Sequence, residues 1–466
     1  MELRPKDIEI PKAEPFEHDL LHRKQYTDVL TQIVKHAEGG FTLSINADWG
    51  YGKTTFVKMW EKVLQNEGYQ TIYFNAWETD FVADPMMALI DGLREGFDSK
   101  DLPQEKLQLS QAVWKAAAKL IQLIPQFKAI GEVAEIFQNG INACLEDQNK
   151  LQEHQSYHKL IQDFKEQLTK FSKEISPDKQ LIIFVDELDR CRPDYAVQML
   201  ERIKHFFSID NIIFVLSVDK KVLCKSIKAV YGGLEIDTEA YLRRFVDVEF
   251  DLPEPEVNYF VEALYKQKGL AEYFTGYWDY NSRTWGRQNN EETLRESLWN
   301  CLLTQSLSLR DVEKYFNRLE IILNSKELPH SICDLIAYLL YLQMFHHDIY
   351  DCLRLMKLDA PEMWNKLYQL VNEAKVDETS NFYRPFLSLA INCLAYYIFD
   401  KERYDQGRNP IYKSYREGKE LTWVPEEYRT WLQAEINSRD RYRLKNLFPH
   451  FELVNARFDI EKQNNI

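Results

Sequence analysis

Two glycines, a lysine and a pair of threonines are concentrated in residues 47–55, which read ADWGYGKTT. Gly50 and Gly52 can adopt backbone geometries closed to other residues, so successive N–H groups can approach the oxygens of a phosphate. Trp49 and Tyr51 alternate with these glycines, and we expect them to belong to the same binding loop. The spacing predicts a turn that cradles the phosphates of a ligand.

The residues after the glycines have side chains suited to a nucleoside triphosphate and its metal ion. We expect Lys53 to bind the β and γ phosphates, Thr54 to offer its hydroxyl to Mg²⁺, and Thr55 to contact the α-phosphate. Ala47 takes the place of the first glycine in the pattern G-x-x-x-x-G-K-[ST]. A methyl group fits there if the residue avoids positive φ.

A second chemical element is the acidic end of the apolar run LIIFVDELDR, residues 181–190. Asp186 is expected at the carboxyl end of a buried strand, where it can bind Mg²⁺ directly or through water. Glu187 can orient and deprotonate an attacking water, a group that a simple nucleotide kinase does not need. The pair therefore favours hydrolysis over transfer to a small acceptor.

Two neighbouring groups of polar residues each allow two interpretations. Asp189 and Arg190 either form an ion pair that fixes the turn, or Arg190 reaches a neighbouring phosphate. Ser217 and Asp219, at the end of another apolar run, either sense the γ-phosphate and hold the water, or serve to cap the next helix.

Short, β-rich apolar runs predict the strands that position these residues, buried on both faces of a parallel sheet. The runs are 41–46, 70–77, 181–188 and 211–219. Helical patterns separate them: one begins at Asp19, another follows Thr54, and Pro193 suits the first turn of a third. This alternation predicts an α/β fold, a doubly wound parallel sheet sandwiched by helices.

The same patterns divide the chain into regions. We predict an extended segment, an α/β core with a helical insertion at about 85–178, a helical lid-like subdomain and a C-terminal helical domain. Their bounds are 1–18, 19–255, 256–330 and 331–466. The clearest helix of the all-α C-terminal region covers 306–323, with Ser308 as its cap.

Composition limits the function classes. With 466 residues, 45% of them hydrophobic, and a formal net charge of −15, the chain is typical of a globular protein, and the net charge does not indicate a general nucleic-acid or lipid coat. Seven scattered cysteines argue against a disulfide framework or a zinc knuckle. The best membrane candidate, residues 111–137, is interrupted by lysines and glutamates, so no membrane span and a cytoplasmic location are expected.

Several stretches together resemble the KAP family of P-loop NTPases, within the additional-strand catalytic-glutamate group. In chain order they are DLLHRKQYTDVL, ADWGYGKTTF, YFNAWETDFVADPMMALI, FVDELDRCRP, FVLSVDKKVL and YLRRFVDVEFDLP, and the resemblance covers roughly residues 16–325. The FNAW run followed by an acidic, proline-containing helix start is more specific than the loop alone. The family's fold is the P-loop NTPase sheet already predicted.

The resemblance implies an ATPase with ATP and Mg²⁺ as its ligands. Lys53 and Thr54 would bind them, Asp186 would ligate the metal, and Glu187, where the family commonly has aspartate, would activate water. Some members carry transmembrane helices in the insertion, and several act in plasmid or host defence against bacteriophage. The insertion here lacks such a span.

The resemblance also suggests roles for four arginines. Arg23 would touch the base or ribose, or else be an exposed charge. Arg243 and Arg244 are candidate arginine fingers for a neighbouring subunit, and Arg310 could reach the γ-phosphate from the helical lid. Such arginines can be worth several orders of magnitude in rate.

Two further stretches raise the question of nucleic acid. Residues 273–288 interleave aromatic side chains with Arg283 and Arg287, which fits a single-strand platform or a surface loop packed on the helices. Residues 439–448 cluster Arg439, Arg441, Arg443 and Lys445, which fits a solvated helix face or a contact to phosphate or protein.

The leading hypothesis is an ATP-hydrolysing conformational or assembly switch in antiphage defence. Its partners would be further copies of the chain or an effector protein. The alternatives are a scaffold stabilised by nucleotide without turnover, and a DNA-stimulated ATPase.

Overall fold

The computed structural model describes residues 9–82, 84–98, 104–122, 153–204, 209–232, 236–273, 287–303, 307–325, 333–355 and 357–373, with short runs between 387 and 432. The chain divides between Pro255 and Glu256 into two compact units, and each is described by itself.

A five-stranded parallel sheet lies at the centre of the N-terminal unit. Its strands are β1 (Phe41–Asn46), β2 (Gln70–Asn75), β3 (Leu181–Asp186), β4 (Ile212–Val218) and β5 (Val248–Asp251). They are arranged in the order β2–β3–β4–β1–β5. Strand β4 therefore lies between β1, which precedes the glycine loop (residues 47–52), and β3, which ends at Asp186.

The four predicted strands are confirmed, with shorter ends. Strand β2 stops at Asn75 and β3 at Asp186, because the residues that follow form single 3₁₀ turns, Trp77–Thr79 and Leu188–Arg190. Strand β5 was not predicted. It has only four residues, lies at the sheet edge and alternates half-buried with exposed side chains, so its apolar signal is weak.

Helices cover both faces of the sheet. They are α1 (Lys24–His36), α2 (Lys53–Asn66), α3 (Pro85–Asp98), α4 (Gln104–Gln122), α5 (Glu153–Ile175), α6 (Pro193–Lys204), α7 (Lys220–Val230) and α8 (Thr238–Leu242). Alternate strand residues point to opposite faces: Ile182 and Phe184 pack with α1 and α2, whereas Ile183 and Val185 pack with α3 to α7. The sandwiched α/β fold is confirmed.

Helix α1 begins at Lys24 and not at Asp19, where the apolar periodicity placed it. The Asp19 carboxylate accepts the backbone N–H groups of Leu21 at 3.0 Å and Arg23 at 2.5 Å, and His22 has a φ of 53°. These local bonds replace helical ones, so the helix starts only after them.

Two glycines of α3 allow that helix to lie close to β2. A Cβ on Gly92 would come within 2.4 Å of Cδ2 of Phe74, and one on Gly96 within 2.7 Å of Cγ2 of Ile72. Both strand side chains are buried, so they cannot move aside easily. The missing side chains therefore set the spacing of the first inserted helix from the sheet.

The C-terminal unit is helical where it is described. Its helices are α9 (Val257–Gln267), α10 (Leu270–Tyr273), α11 (Arg287–Leu303), α12 (Leu309–Ser325), α13 (Cys333–Phe345), α14 (His347–Arg354) and α15 (Ala360–Glu373). The predicted cap of α12 is confirmed, because Ser308 Oγ accepts the Asp311 N–H at 3.2 Å. One hydrophobic core includes residues on both sides of residue 330.

Several sequence features fall on parts of the chain that are not described. The aromatic stretch from 274 to 286, with Arg283, and the basic run 439–448 lie outside the described residues, as does the side chain of Arg287. The same holds for residues 1–8 and for most of 111–137. Within the described residues, no helix combines the length and apolar character needed to cross a lipid bilayer.

Candidate functional site

The glycine loop connects β1 to α2 at the carboxyl edge of the sheet. Gly50 and Gly52 have φ values of 82° and 77°, the left-handed region that favours glycine. Helix α2 begins directly after Gly52, whose carbonyl accepts the Phe56 N–H at 3.0 Å. Ala47 has no positive φ, so its methyl group is compatible with the loop. The loop thus directs a helix N-terminus toward the sheet edge, an arrangement suited to anions.

Lys53 lies folded back over this loop. Its Nζ donates to the carbonyl oxygen of Ala47 at 2.5 Å and to that of Asp48 at 3.3 Å. Burial lowers the pKa of Lys53, and the nearby carboxylates of Asp189, Asp219 and Asp186 act in the opposite direction. The ammonium group therefore lies where carboxylates from two other strand ends converge.

The carboxyl ends of three strands bring polar side chains into one row. In the sheet register Asn75 lies beside Asp186, and Asp186 lies beside Ser217. Asp186 is buried, and its Oδ2 accepts the hydroxyl of Tyr73 at 2.7 Å. Its Oδ1 accepts the N–H of Glu187 at 2.9 Å. These bonds hold the carboxylate in one orientation.

Glu187 has an unusual backbone and three polar neighbours. Its φ is 60°, which is rare for a residue with a side chain. Its Oε1 forms an ion pair of 2.9 Å with Arg190, and its Oε2 accepts the amide of Asn75 at 3.4 Å. Burial raises the pKa of Glu187, Arg190 counteracts this, and Asp186 adds to it.

The two charged side chains of the turn Leu188–Arg190 bind different partners. Of the two interpretations of Asp189 and Arg190, the ion pair between them is not formed, because Arg190 binds Glu187. Contact of Arg190 with a phosphate stays a prediction. Asp189 is buried, and its Oδ2 accepts the indole N–H of Trp49 from the glycine loop. The backbone of the turn directs these neighbouring side chains to different partners.

Ser217 and Asp219 differ in their surroundings. Asp219 caps α7 by accepting the Val222 N–H at 3.2 Å, as one of its two interpretations predicted. Ser217 is fully buried, and its Oγ has no hydrogen-bond partner among the described residues. A buried unpaired hydroxyl is costly, so this oxygen is suited to a bound water or ligand. Sensing of the γ-phosphate stays a prediction for both residues.

Arg23 is buried beside the loop and is not an exposed charge. Its guanidinium donates to the carbonyl oxygen of Tyr51 at 2.5 Å and to that of Pro253 at 3.1 Å. Burial lowers the pKa of Arg23 to about 10. Its contact with a base or ribose stays a prediction.

The other three arginines lie at the surface of their own units. Arg243 directly follows α8, and its Nη2 lies 3.9 Å from Asp237 Oδ2. The exposed Arg244 lines a cavity of about 330 Å³ beside Tyr231 and Tyr241. Arg310 is exposed in the first turn of α12. Their action on a phosphate stays a prediction.

Asn75 and Tyr73 are site residues that the sequence analysis missed. Asn75 stands at the end of a predicted strand, and polar residues at the ends of adjacent parallel strands meet at one edge. That rule could have identified Asn75. Tyr73 gives no such signal, because an aromatic residue inside a strand is expected to pack.

The residues present fit a nucleotide with Mg²⁺. The glycines leave backbone N–H groups unobstructed, Lys53 holds only carbonyl oxygens that a phosphate can replace, and Ser217 Oγ has no partner in the described part of the chain. Thr54 and Asp186 supply the hydroxyl and carboxylate oxygens that Mg²⁺ prefers. A family model described as "KAP family P-loop domain" matches residues 23–325.

The chain belongs to the KAP family. Two curated proteins are similar to parts of this KAP protein. An uncharacterized protein of Methanocaldococcus jannaschii is 41% identical over 70 residues, which are 15% of this chain and 34% of that protein. The phage T7 exclusion protein of Escherichia coli strain K12 is 26% identical over 172 residues, 35% of this chain and 22% of that protein. The matches thus span about a third or less of each relative's length.

Two solved structures are similar to this KAP protein over most of its length. A DNA replication initiation factor shows 10% identity and a TM-score of 0.27, with 89% of this chain and 94% of that chain covered. Drosophila ORC bound to poly(dA/dT) DNA and Cdc6 shows 11% identity and a TM-score of 0.30, with 94% and 74% covered.

Proposed function

We propose that this KAP protein binds ATP with Mg²⁺ and hydrolyses it. The observation that carries the proposal is the meeting of Lys53, Asp186 and Glu187 at one edge of the sheet, where β4 brings the ends of β1 and β3 into register. A cation, a fixed carboxylate and a second, half-buried carboxylate are the groups that phosphate hydrolysis requires.

Each residue has a separate task in this proposal. The Lys53 ammonium leaves the loop carbonyl groups and binds phosphate oxygens, together with the N–H groups of residues 50–55. Thr54 and Asp186 would hold Mg²⁺, which when bound neutralises phosphate charge. The Glu187 carboxylate accepts a proton from the attacking water, and its raised pKa makes it a better proton acceptor than an ordinary glutamate.

The proposed role of turnover is a switch in conformation or assembly, used in antiphage defence. The similarity to the phage T7 exclusion protein supports the defence role, although it covers only 35% of this chain. The partner would be a second copy or an effector protein. We place the protein in the cytoplasm, where ATP is available and where the five cysteines with described side chains would stay free thiols, as they are in the structure.

Phosphate release by the purified chain tests the enzyme proposal, with and without Mg²⁺ and with and without DNA. We expect turnover that needs Mg²⁺ and that falls at least about 100-fold in Glu187→Gln, because a general base contributes 10² to 10⁴ in rate. Glu166→Gln is the matched control, since that carboxylate is exposed on α5 and pairs with Lys170.

Different outcomes would support different functions. Nucleotide binding without turnover would refute the enzyme proposal and would support the alternative of a scaffold stabilised by nucleotide. Turnover that depends on DNA would favour the DNA-stimulated ATPase. For the defence role, cells that carry the wild-type chain should reduce phage plating, and cells that carry Lys53→Ala should not; equal plating would refute that part.

A further inference from the structure

Arg190 is the only cation within ion-pair distance of Glu187 among the described residues. Its Nη1 lies 2.9 Å from Glu187 Oε1, and the two side chains are 23% and 12% exposed, so water screens the pair only in part. The ion pair occupies Glu187 Oε1, so Arg190 competes with an attacking water for that oxygen. The structure therefore shows the proposed base held by a counter-ion.

Arg190 also lies beside the glycine loop. The next residue toward the N-terminus, Asp189, is hydrogen-bonded to Trp49 of that loop. Burial is the main cause of the lowered pKa of Lys53, and the nearby charge of Arg190 adds to it. Arg190 is therefore close to the place where the loop would hold phosphates.

The guanidinium has no second carboxylate within ion-pair distance among the described residues. Its other contact is the face of Trp77, with the central carbon 5.5 Å from the ring centroid, and Trp77 is half exposed. A contact with a half-exposed ring does not fix the direction of the side chain as a second ion pair would. Arg190 can therefore turn while its backbone stays in place.

We infer that Arg190 exchanges partners: its guanidinium binds the Glu187 carboxylate when no triphosphate is present, and binds the terminal phosphate group when a triphosphate occupies the loop. This inference rests on the proposed function. A phosphate offers more negative charge and more oxygens to the planar guanidinium than one carboxylate does. Glu187 is then released to accept a proton, while Asn75 still holds its Oε2.

The exchange predicts discrimination between a triphosphate and a diphosphate. ADP lacks the terminal phosphate group that would attract Arg190, so Glu187 stays paired with Arg190 when ADP is bound. Arg190 would thus connect the number of phosphates in the loop to the state of the base, without a partner subunit.

The first test measures the affinity of ADP and of a slow-hydrolysing ATP analogue by calorimetry. In Arg190→Gln we expect the preference for the analogue over ADP to fall about tenfold or more, because a charge-assisted hydrogen bond is lost. Arg192→Gln is the matched control: it lies two residues after Arg190, is exposed and donates to the carbonyl oxygen of Asp80. Its preference should equal that of the wild type.

The second test is a double-mutant cycle on the same affinities. Glu187→Gln removes the competing carboxylate charge, so the analogue should bind several-fold more tightly when Arg190 is present. In the double variant Arg190→Gln with Glu187→Gln this gain should disappear. A gain that persists without Arg190 would overturn the exchange.

A third readout needs no change at Arg190. The fluorescence emission of Trp77, taken as the difference between wild type and Trp77→Phe, should change with the analogue and not with ADP.

Arg190→Lys, which keeps the charge and loses the planar guanidinium group, replaces Arg190→Gln if that variant does not fold. An analogue preference unchanged in either variant would refute the exchange alone, whereas failure of the wild type to bind the analogue would refute the proposed function.

Discussion

Tyr73 shows how one hydroxyl can orient the carboxylate of Asp186, the proposed metal ligand. Its O–H donates to Asp186 Oδ2 at 2.7 Å, and burial raises the pKa of Tyr73 well above its usual value. The hydroxyl therefore stays protonated and remains a donor throughout the physiological pH range. Asp186 Oδ2 therefore keeps a donor that fixes the orientation of the carboxylate.

We predict that Tyr73→Phe weakens the metal site. With one oxygen of Asp186 left unpaired, the free energy of unfolding should fall by about 1–3 kcal/mol, and more Mg²⁺ should be needed for half-maximal turnover. Denaturant unfolding and a Mg²⁺ titration check this. The matched control is Tyr26→Phe, a tyrosine of the same unit whose ring packs against Phe250. An unchanged Mg²⁺ requirement would show that the hydroxyl does not orient Asp186.

Trp49 makes a second single contact that can be tested. Its indole N–H binds the buried carboxylate of Asp189, whose pKa is raised by burial and lowered by Lys53 and Trp49. We expect Trp49→Phe to lower the free energy of unfolding by about 1–3 kcal/mol, because the carboxylate loses a donor. Trp77→Phe, at an equally exposed tryptophan, is the comparison. Equal effects of the two variants in denaturant unfolding would contradict the prediction.

At the scale of elements, neighbouring strand ends and turns decide what each residue can reach. Strand β3 ends at Asp186, and the positive φ of Glu187 turns the chain at once. This change of direction lets Glu187 and Arg190 meet across a single 3₁₀ turn, while Asp189 points to the glycine loop. A continued strand would have directed neighbouring side chains to opposite faces.

The contact between α3 and β2 gives a prediction for an element. Gly92→Ala adds a methyl group that would meet the Phe74 ring at 2.4 Å. Overpacking of this kind costs about 1–3 kcal/mol, more than the roughly 1 kcal/mol that alanine contributes as a helix former. Net destabilisation in denaturant unfolding is expected. Asp91→Ala, at an exposed position of the same helix, should not destabilise the protein, and a stabilised Gly92→Ala would show that the helix moves freely.

The proposed arginine fingers, Arg243 and Arg244, would require a second copy of the chain to complete the site. Arg243 and Arg244 are exposed, and the ion pair of Arg243 with Asp237 is long and solvated, so neither contributes much to folding. Surface arginines with little structural role are free to bind another subunit's phosphates.

We predict that Arg243→Ala or Arg244→Ala lowers the rate of ATP hydrolysis by about 10³-fold while the free energy of unfolding changes by less than about 0.5 kcal/mol. Mixing the inactive arginine variant with Glu187→Gln should restore part of the activity, since each chain supplies what the other lacks. Phosphate release from the mixture is the measurement. Full activity of both single variants would exclude a catalytic role for these arginines. A loss that mixing does not restore would show that the arginine acts in the site of its own chain.

Local sequence patterns account for the individual turns and strands of the N-terminal unit. Residues 47–55 predict a turn, because glycine is the residue that adopts positive φ without steric cost. Apolar runs such as residues 181–186 predict strands, because consecutive apolar side chains are favourable only where both faces of the strand are buried. The parallel order of those strands then brings the loop and the acidic pair to one edge, and the family resemblance rested on the same stretches.

The partners of the side chains, in contrast, depend on how the folded chain brings distant segments together. Arg190 binds Glu187 and not Asp189, Arg23 is buried against the loop, and Asn75 and Tyr73 join the site. These contacts depend on sheet register and on the directions of turns. Both are set by packing between segments that can be over a hundred residues apart, and no local pattern encodes them.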